Sequence, residues 1–85
     1  MLNEKEIRQI FNTKYKKEKL LNCFFLKGLN LYELIIDFDP EETDPHKKKT
    51  SQSFHCINKN GEFVLLSFDD YMDYIENDGE EIQIF

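Results

Sequence analysis

The side chains best equipped for chemistry in this 85-residue chain are its carboxylates, and they are unevenly spread. From Asn60 onward stand Glu62, Asp69, Asp70, Asp73, Glu76, Asp78, Glu80 and Glu81, with no Lys or Arg among them. Residues 36–85 carry a net charge of −9 and residues 1–35 a net of +3, which gives −6 overall. A segment charged with one sign repels itself, whereas stability alone favours mixed signs. Such a segment suits electrostatic attraction to a basic partner. The candidate partner-binding residues are therefore Asp69, Asp70, Asp73, Glu76, Asp78, Glu80 and Glu81. The plainer alternative is a solvated face that keeps a Phe-rich chain in solution.

Other residue types offer less. Asp37-Phe38-Asp39-Pro40-Glu41-Glu42-Thr43-Asp44 has the acid density of a cation loop. An EF-hand starting at Asp37 needs Gly and Glu where the chain has Glu42 and Lys48, so no metal site is assigned. His46-Lys47-Lys48-Lys49 reads as charge balance for those acids. Lys14-Tyr15-Lys16-Lys17-x-Lys19 could contact phosphate, with Tyr15 stacking on a base. Glu18 interrupts that cluster, and a pI near 4.8 disfavours direct nucleic-acid binding. His55 and Cys56 are adjacent, so on a strand they point to opposite faces and cannot act as a dyad. Glycine-rich phosphate loops, nucleophile-elbow and zinc-protease motifs are missing, and no cofactor site emerges. We assign no catalytic residue and expect a protein that is not an enzyme.

A chain of this length holds one core, and residues 1–85 read as a single domain. Eight Phe and four Tyr against three Gly and two Pro argue for a folded chain. There is no Ala and no Trp, while Lys, Asn, Ile, Phe and Tyr abound, a bias typical of AT-rich genomes and of the phages that infect their hosts. No apolar run is long enough for a membrane span, and the charged start Met1-Leu2-Asn3-Glu4-Lys5-Glu6 does not read as a signal peptide. We expect a cytoplasmic protein with Cys23 and Cys56 as buried, reduced thiols.

Positioning the acids requires a scaffold. Residues 3–12 predict a helix with Asn3 as N-cap and Ile7, Ile10, Phe11 and Tyr15 on its apolar stripe. Residues 19–27 and 31–38 predict two strands joined by a turn at Gly28-Leu29-Asn30. Two prolines make residues 39–50 a loop. Residues 51–57 alternate, Ser53, His55 and Ile57 opposing Phe54 and Cys56, and pair with residues 62–67 through a hairpin at Asn60-Gly61. Ser67 predicts the cap of a second helix, with Asp70 completing a weak capping box and Phe68, Tyr71, Met72 and Ile75 facing the core. Asp69, Asp73 and Glu76 then share the outer face. Gly79 is expected as its left-handed cap, and residues 80–85 as a last edge strand, open to homodimer or partner pairing at Ile82, Ile84 and Phe85.

The expected fold is α+β in the order αββββαβ: one small antiparallel sheet of four or five strands packed with two helices. In size, charge and composition the chain is similar to small acidic inhibitors of phages and mobile elements, such as anti-CRISPR proteins and uracil-DNA glycosylase inhibitors. That similarity implies a protein-binding inhibitor, phage-encoded, that blocks a basic nucleic-acid-handling host protein by presenting carboxylates in place of phosphates. An immunity protein or antitoxin neutralising a basic toxin would use the same physics. A nucleic-acid-binding module using the N-terminal lysines is the rival of a different class.

Overall fold

A computed structural model describes all of residues 1–85. The elements are α1 (Glu4–Lys14), β1 (Lys19–Lys27), β2 (Leu31–Asp37), β3 (Phe54–Asn58), β4 (Phe63–Leu66), α2 (Phe68–Glu76) and β5 (Glu80–Gln83). The five strands form one sheet in the spatial order β4-β3-β2-β1-β5, and every neighbouring pair is antiparallel. This is the expected α+β fold, with the last strand returning to the sheet edge beside β1.

The two helices cover opposite faces. Asn3 caps α1 by accepting from the Glu6 backbone N–H, and the Glu6 carboxylate accepts in return from the Asn3 N–H. Two helix-end donors are thereby satisfied. The stripe Ile7, Phe11 and Tyr15 then lies in the main core with Leu20, Cys23, Phe25, Tyr32, Leu34 and Ile57. Phe11 stacks on Tyr15 at 4.7 Å between ring centroids. Arg8, the chain's one arginine, ties α1 down: Nη1 donates to the Leu20 carbonyl and the guanidinium lies 4.5 Å from the Phe85 ring centre. On the other face a smaller cluster of Leu26, Cys56 and Leu66 gathers Leu31, Phe54, Val64, Tyr71 and Tyr74.

Local details decide which side chain reaches which face. A bulge at Leu21 shifts the β1–β2 register between Leu20 and Asn22, so that Leu20 and Cys23 share a face although three residues apart. Leu21 is left 45% exposed. In β3, Ile57 enters the α1-side core and Cys56 the α2-side core, as the alternation predicts. The β3–β4 hairpin turns at Asn58–Gly61, with Gly61 at φ +82° and the Asn58 side chain accepting from the N–H groups of Asn60 and Glu62. Strand β3 starts at Phe54 and not at residue 51, because Ser51 Oγ folds the preceding segment into a bend through Ser53.

The strongest departure from expectation is α2. It has no buried residue. Phe68 and Ile75, expected in the core, are 58% and 38% exposed. The residues that dock α2 are Tyr71, whose ring stacks on Phe54 at 4.2 Å, and Tyr74, whose hydroxyl donates to the carbonyls of Lys27 and Glu80. Two long tyrosines reach the sheet where a shorter side chain would not, so the helix is turned with Phe68 and Ile75 outward and Met72 half-buried. Ser67 does cap α2, accepting from Asp70 N–H, but the reciprocal half of the capping box is not formed. The left-handed residue at its end is Asp78 (φ +61°), not Gly79. Gly79 is required for a different reason. Its N–H donates to the Tyr74 carbonyl, and a Cβ there would lie 2.4 Å from that oxygen.

Candidate partner-binding face

Helix α2 and strand β5 carry six of the seven candidate carboxylates, Asp78 stands in the turn between them, and all seven are exposed. Asp69, Asp73 and Glu76 fall on one helical stripe, with Asp70 beside it, opposite the two docking tyrosines. At 1.5 Å rise per residue, Asp69 to Glu76 spans about 10 Å. Asp70 and Asp73 line a surface groove with Asp78, Tyr74 and Leu29, which Lys27 borders. Strand alternation then divides the remaining two. Glu80 is opposite Lys27 and pairs with its ammonium at 3.7 Å, both side chains well exposed. Such a pair adds little stability. Glu81 is opposite Leu26, turned to the α2 side, where it accepts a hydrogen bond from Tyr71 Oη. Five of the seven acids thus make a continuous outer layer on α2 and its cap, while Glu80 and Glu81 are engaged within the fold.

Beside the acids lies the outward flank of α2. Phe68 stacks on Phe54 at 6.4 Å and stays more than half exposed. It borders an open groove of about 640 Å³ with Ile35, Ile36, Phe38, Phe54 and Ser53. The groove exists because β2 and β3 part company. Their pairing covers Leu31–Glu33 with Cys56–Asn58 and stops there, while β2 runs on to Asp37.

Beneath α2 is a residue that sequence reasoning passed over. Glu33 sits in the central strand β2 and is 3% exposed, the one buried charged residue of the chain. Burial raises its carboxyl to about 7, helped by repulsion from Glu81. The signal was present in Leu31-Tyr32-Glu33-Leu34-Ile35-Ile36, one acid inside an apolar strand run, which the count of net charge obscured.

The other sequence candidates resolve differently. Tyr15, considered as a base-stacking residue, is 8% exposed. Its hydroxyl meets His55 Nδ1 at 2.7 Å, so it is not on offer to a nucleotide. His55 Nε2 meets Ser51 Oγ at 3.0 Å, which places a serine, a histidine and a tyrosine in a row. The direction of the bonds decides its role. Ser51 gives its one hydroxyl proton to the Ser53 carbonyl, so Nε2 is the donor to Ser51 and Nδ1 accepts from Tyr15. A nucleophile–base pair needs the opposite polarity. Burial, with Lys14 nearby, lowers the His55 pKa, which keeps the ring neutral as this chain of bonds requires. The row pins the 51–53 bend and the end of α1 to β3.

In the acidic loop, Lys48 Nζ donates to Asp37 Oδ2 at 2.7 Å and to the Asp39 carbonyl at 3.1 Å. The hydrogen bond from Lys48 holds Asp37 below the usual carboxylate range. The basic cluster therefore does balance the acids, and an ammonium takes the place a cation would. No grouping of three or more His, Cys, Asp or Glu forms a metal-binding set. Cys23 and Cys56 are free, buried and on opposite faces of the sheet. No helix is long and apolar enough to cross a membrane. Compared with family models, with curated proteins and with solved structures, the chain gives no match.

Proposed function

We propose that this protein acts by binding, using the outer face of α2 and its cap to engage a protein with a basic surface, as an inhibitor of a nucleic-acid-handling protein would. The observation that carries the reading is the make-up of α2. It contributes no buried residue to the fold, yet presents Asp69, Asp70, Asp73 and Glu76, continued by Asp78, beside the exposed Phe68 ring. An apolar anchor within a charged surround is the composition of an interface hot spot. A row of carboxylates about 10 Å long can occupy a phosphate-binding surface. Glu80 and Glu81 contribute to the field, though their side chains are held by Lys27 and Tyr71.

The test begins with affinity capture of host proteins at low and high salt, followed by titration of the purified, recovered protein against the wild type and an Asp69→Lys/Asp73→Lys/Glu76→Lys variant. All three positions are solvent-facing, so the variant should melt like the wild type. Its affinity should fall by several kcal/mol, since each change removes an attraction and adds a repulsion. Binding of unchanged strength, to a partner whose surface is not basic, would leave the acids as a solubility device. A partner that proves to be a toxin, released by the same variant, would identify the antitoxin form of the same reading.

A further inference from the structure

The sheet is split where β2 outruns β3. In an antiparallel sheet each residue addresses its N–H and C=O to one neighbouring strand, and successive residues alternate. Asn58 N–H is bonded to the Glu62 carbonyl in the β3–β4 hairpin, so Ile57 addresses β2, and its register partner Tyr32 addresses β3. Along β2, Leu34 and Ile36 then turn to the same side as Tyr32. Pairing ends at Glu33 opposite Cys56, and the N–H and C=O of Ile36 have no backbone partner across the gap. That gap is the groove of about 640 Å³. Its far wall is held off by fixed bonds: Ser51 Oγ donates to the Ser53 carbonyl, His55 Nε2 to Ser51 Oγ, and Tyr15 Oη to His55 Nδ1. The edge of an interior strand therefore stands open in a cleft of the size that takes ligands. Leu34, Ile36 and Phe38 line it on the α1 side of the sheet, and Ile35, Phe54 and Phe68 on the α2 side.

The charges around the groove select its occupant. Glu33 lines it on the α2 side and is 3% exposed. Tyr71 Oη donates to Glu81 rather than to Glu33, and the chain's three ion pairs lie elsewhere. No fully enclosed side-chain atom is left unbonded, so the Glu33 carboxyl keeps contact with open space, and the space it lines is the groove. A mostly buried carboxylate without a donor is costly, and a cationic side chain entering the groove would supply one. Lys49, on the opposite wall, is the one Lys or Arg among the lining residues and makes no ion pair. The helix beside the groove adds Asp69, Asp70, Asp73 and Glu76.

We propose that the open half of β2 is a strand-addition site for an extended segment of a basic partner protein. The segment lies antiparallel to β2 with its main chain bonded to Ile36, its apolar side chains beside Leu34 and Phe38, and an Arg or Lys directed at Glu33. This rests on the reading of α2 as the binding face, which Phe68 joins to the groove, and names the part of the partner engaged there. Opposed residues of an antiparallel pair share a face, so apolar and basic residues alternate along the segment.

The experiment uses the purified protein and a blocked synthetic hexapeptide in which Val and Arg alternate, so its failure leaves the capture test of α2 intact. Amide spectra are followed by NMR through a titration to millimolar peptide. Shifts should concentrate at residues 34–37 and 51–55. N-methylation of the Val amides removes the donors that face Ile36 and should abolish binding, whereas N-methylation of the Arg amides, which point away from β2, should leave most of it. Glu in place of Arg in the peptide should abolish it too. Glu33→Gln, which keeps the shape and removes the charge, should weaken binding at least about tenfold with the rest of the amide spectrum unchanged. No shift at residues 34–37, shifts confined to the outer face of α2, or binding indifferent to Val N-methylation would overturn the site. So would a second copy in the groove, seen as a dimer by light scattering whose residues 34–37 shift on dilution.

Discussion

Phe68 separates two accounts of α2, because the helical stripe in the sequence puts it in the core and the fold puts it outside. Consider Phe68→Ala beside Phe11→Ala. Phe68 is 58% exposed, so about two fifths of its side chain is removed from water. Burying a whole Phe side chain is worth about 1.5–3 kcal/mol, so truncation here forfeits about 1 kcal/mol. Its stacking on Phe54 at 6.4 Å adds no more than about 0.5 kcal/mol, and the better helix propensity of Ala returns a similar amount. The expected net loss is about 1 kcal/mol. Phe11 is 3% exposed and stacked on Tyr15, so its truncation opens a cavity and should cost about 3–5 kcal/mol. That approaches the whole stability of a domain of this size, and Phe11→Leu supplies a folded comparison if the alanine variant unfolds in water. Urea melts followed by circular dichroism give the midpoint and slope for each variant. Binding of the protein recovered by affinity capture should respond in reverse order, with Phe68→Ala weakening it by about 2 kcal/mol as an interface anchor would. A stability loss of 3 kcal/mol or more for Phe68→Ala would show that α2 belongs to the core and would refute the account of its outer flank.

Two further expectations concern places where the fold is tight. Gly79→Ala would set a Cβ 2.4 Å from the Tyr74 carbonyl and within 2.6 Å of its ring, so the α2 end must shift. A loss of about 1–3 kcal/mol in a urea melt is expected, and a change within about 0.5 kcal/mol would contradict the close approach. Cys23 and Cys56 are fully buried, with burial pushing both thiols up to about 12, so a thiol reagent should leave the native protein unmodified and label both once it is unfolded in guanidinium. Mild oxidation that yields an intramolecular Cys23–Cys56 bond in folded protein would contradict their placement on opposite faces.

The sequence by itself determined the parts whose physics is local. Asn3 and Ser67 mark both helix starts because their side chains can accept from N–H groups two or three residues on, whatever the rest of the chain does. The apolar run 19–27 and its return after Gly28-Leu29-Asn30 read as a buried hairpin, and the strand bounds differ by a residue at most. The opposition of Ile57 to Cys56 follows from strand alternation, and the exposure of Asp69, Asp73 and Glu76 from the cost of burying charge. Tertiary structure decided everything that depends on what lies opposite. The rotation of α2 is set by Tyr71 and Tyr74 finding Phe54 and two free carbonyls, and a helical stripe taken alone cannot show that longer side chains will win the contact over Phe68 and Ile75. The bulge at Leu21 depends on the partner strand. Tyr15 is lost to solvent because His55, 40 positions away, receives its hydroxyl. Glu33 and Glu81 are 48 positions apart, and only the return of β5 to the edge beside β1 brings Glu81 to the α2 side of the sheet, where Tyr71 donates to it. Long-range pairing of this kind leaves no local periodicity to read, because each partner looks ordinary within its own segment.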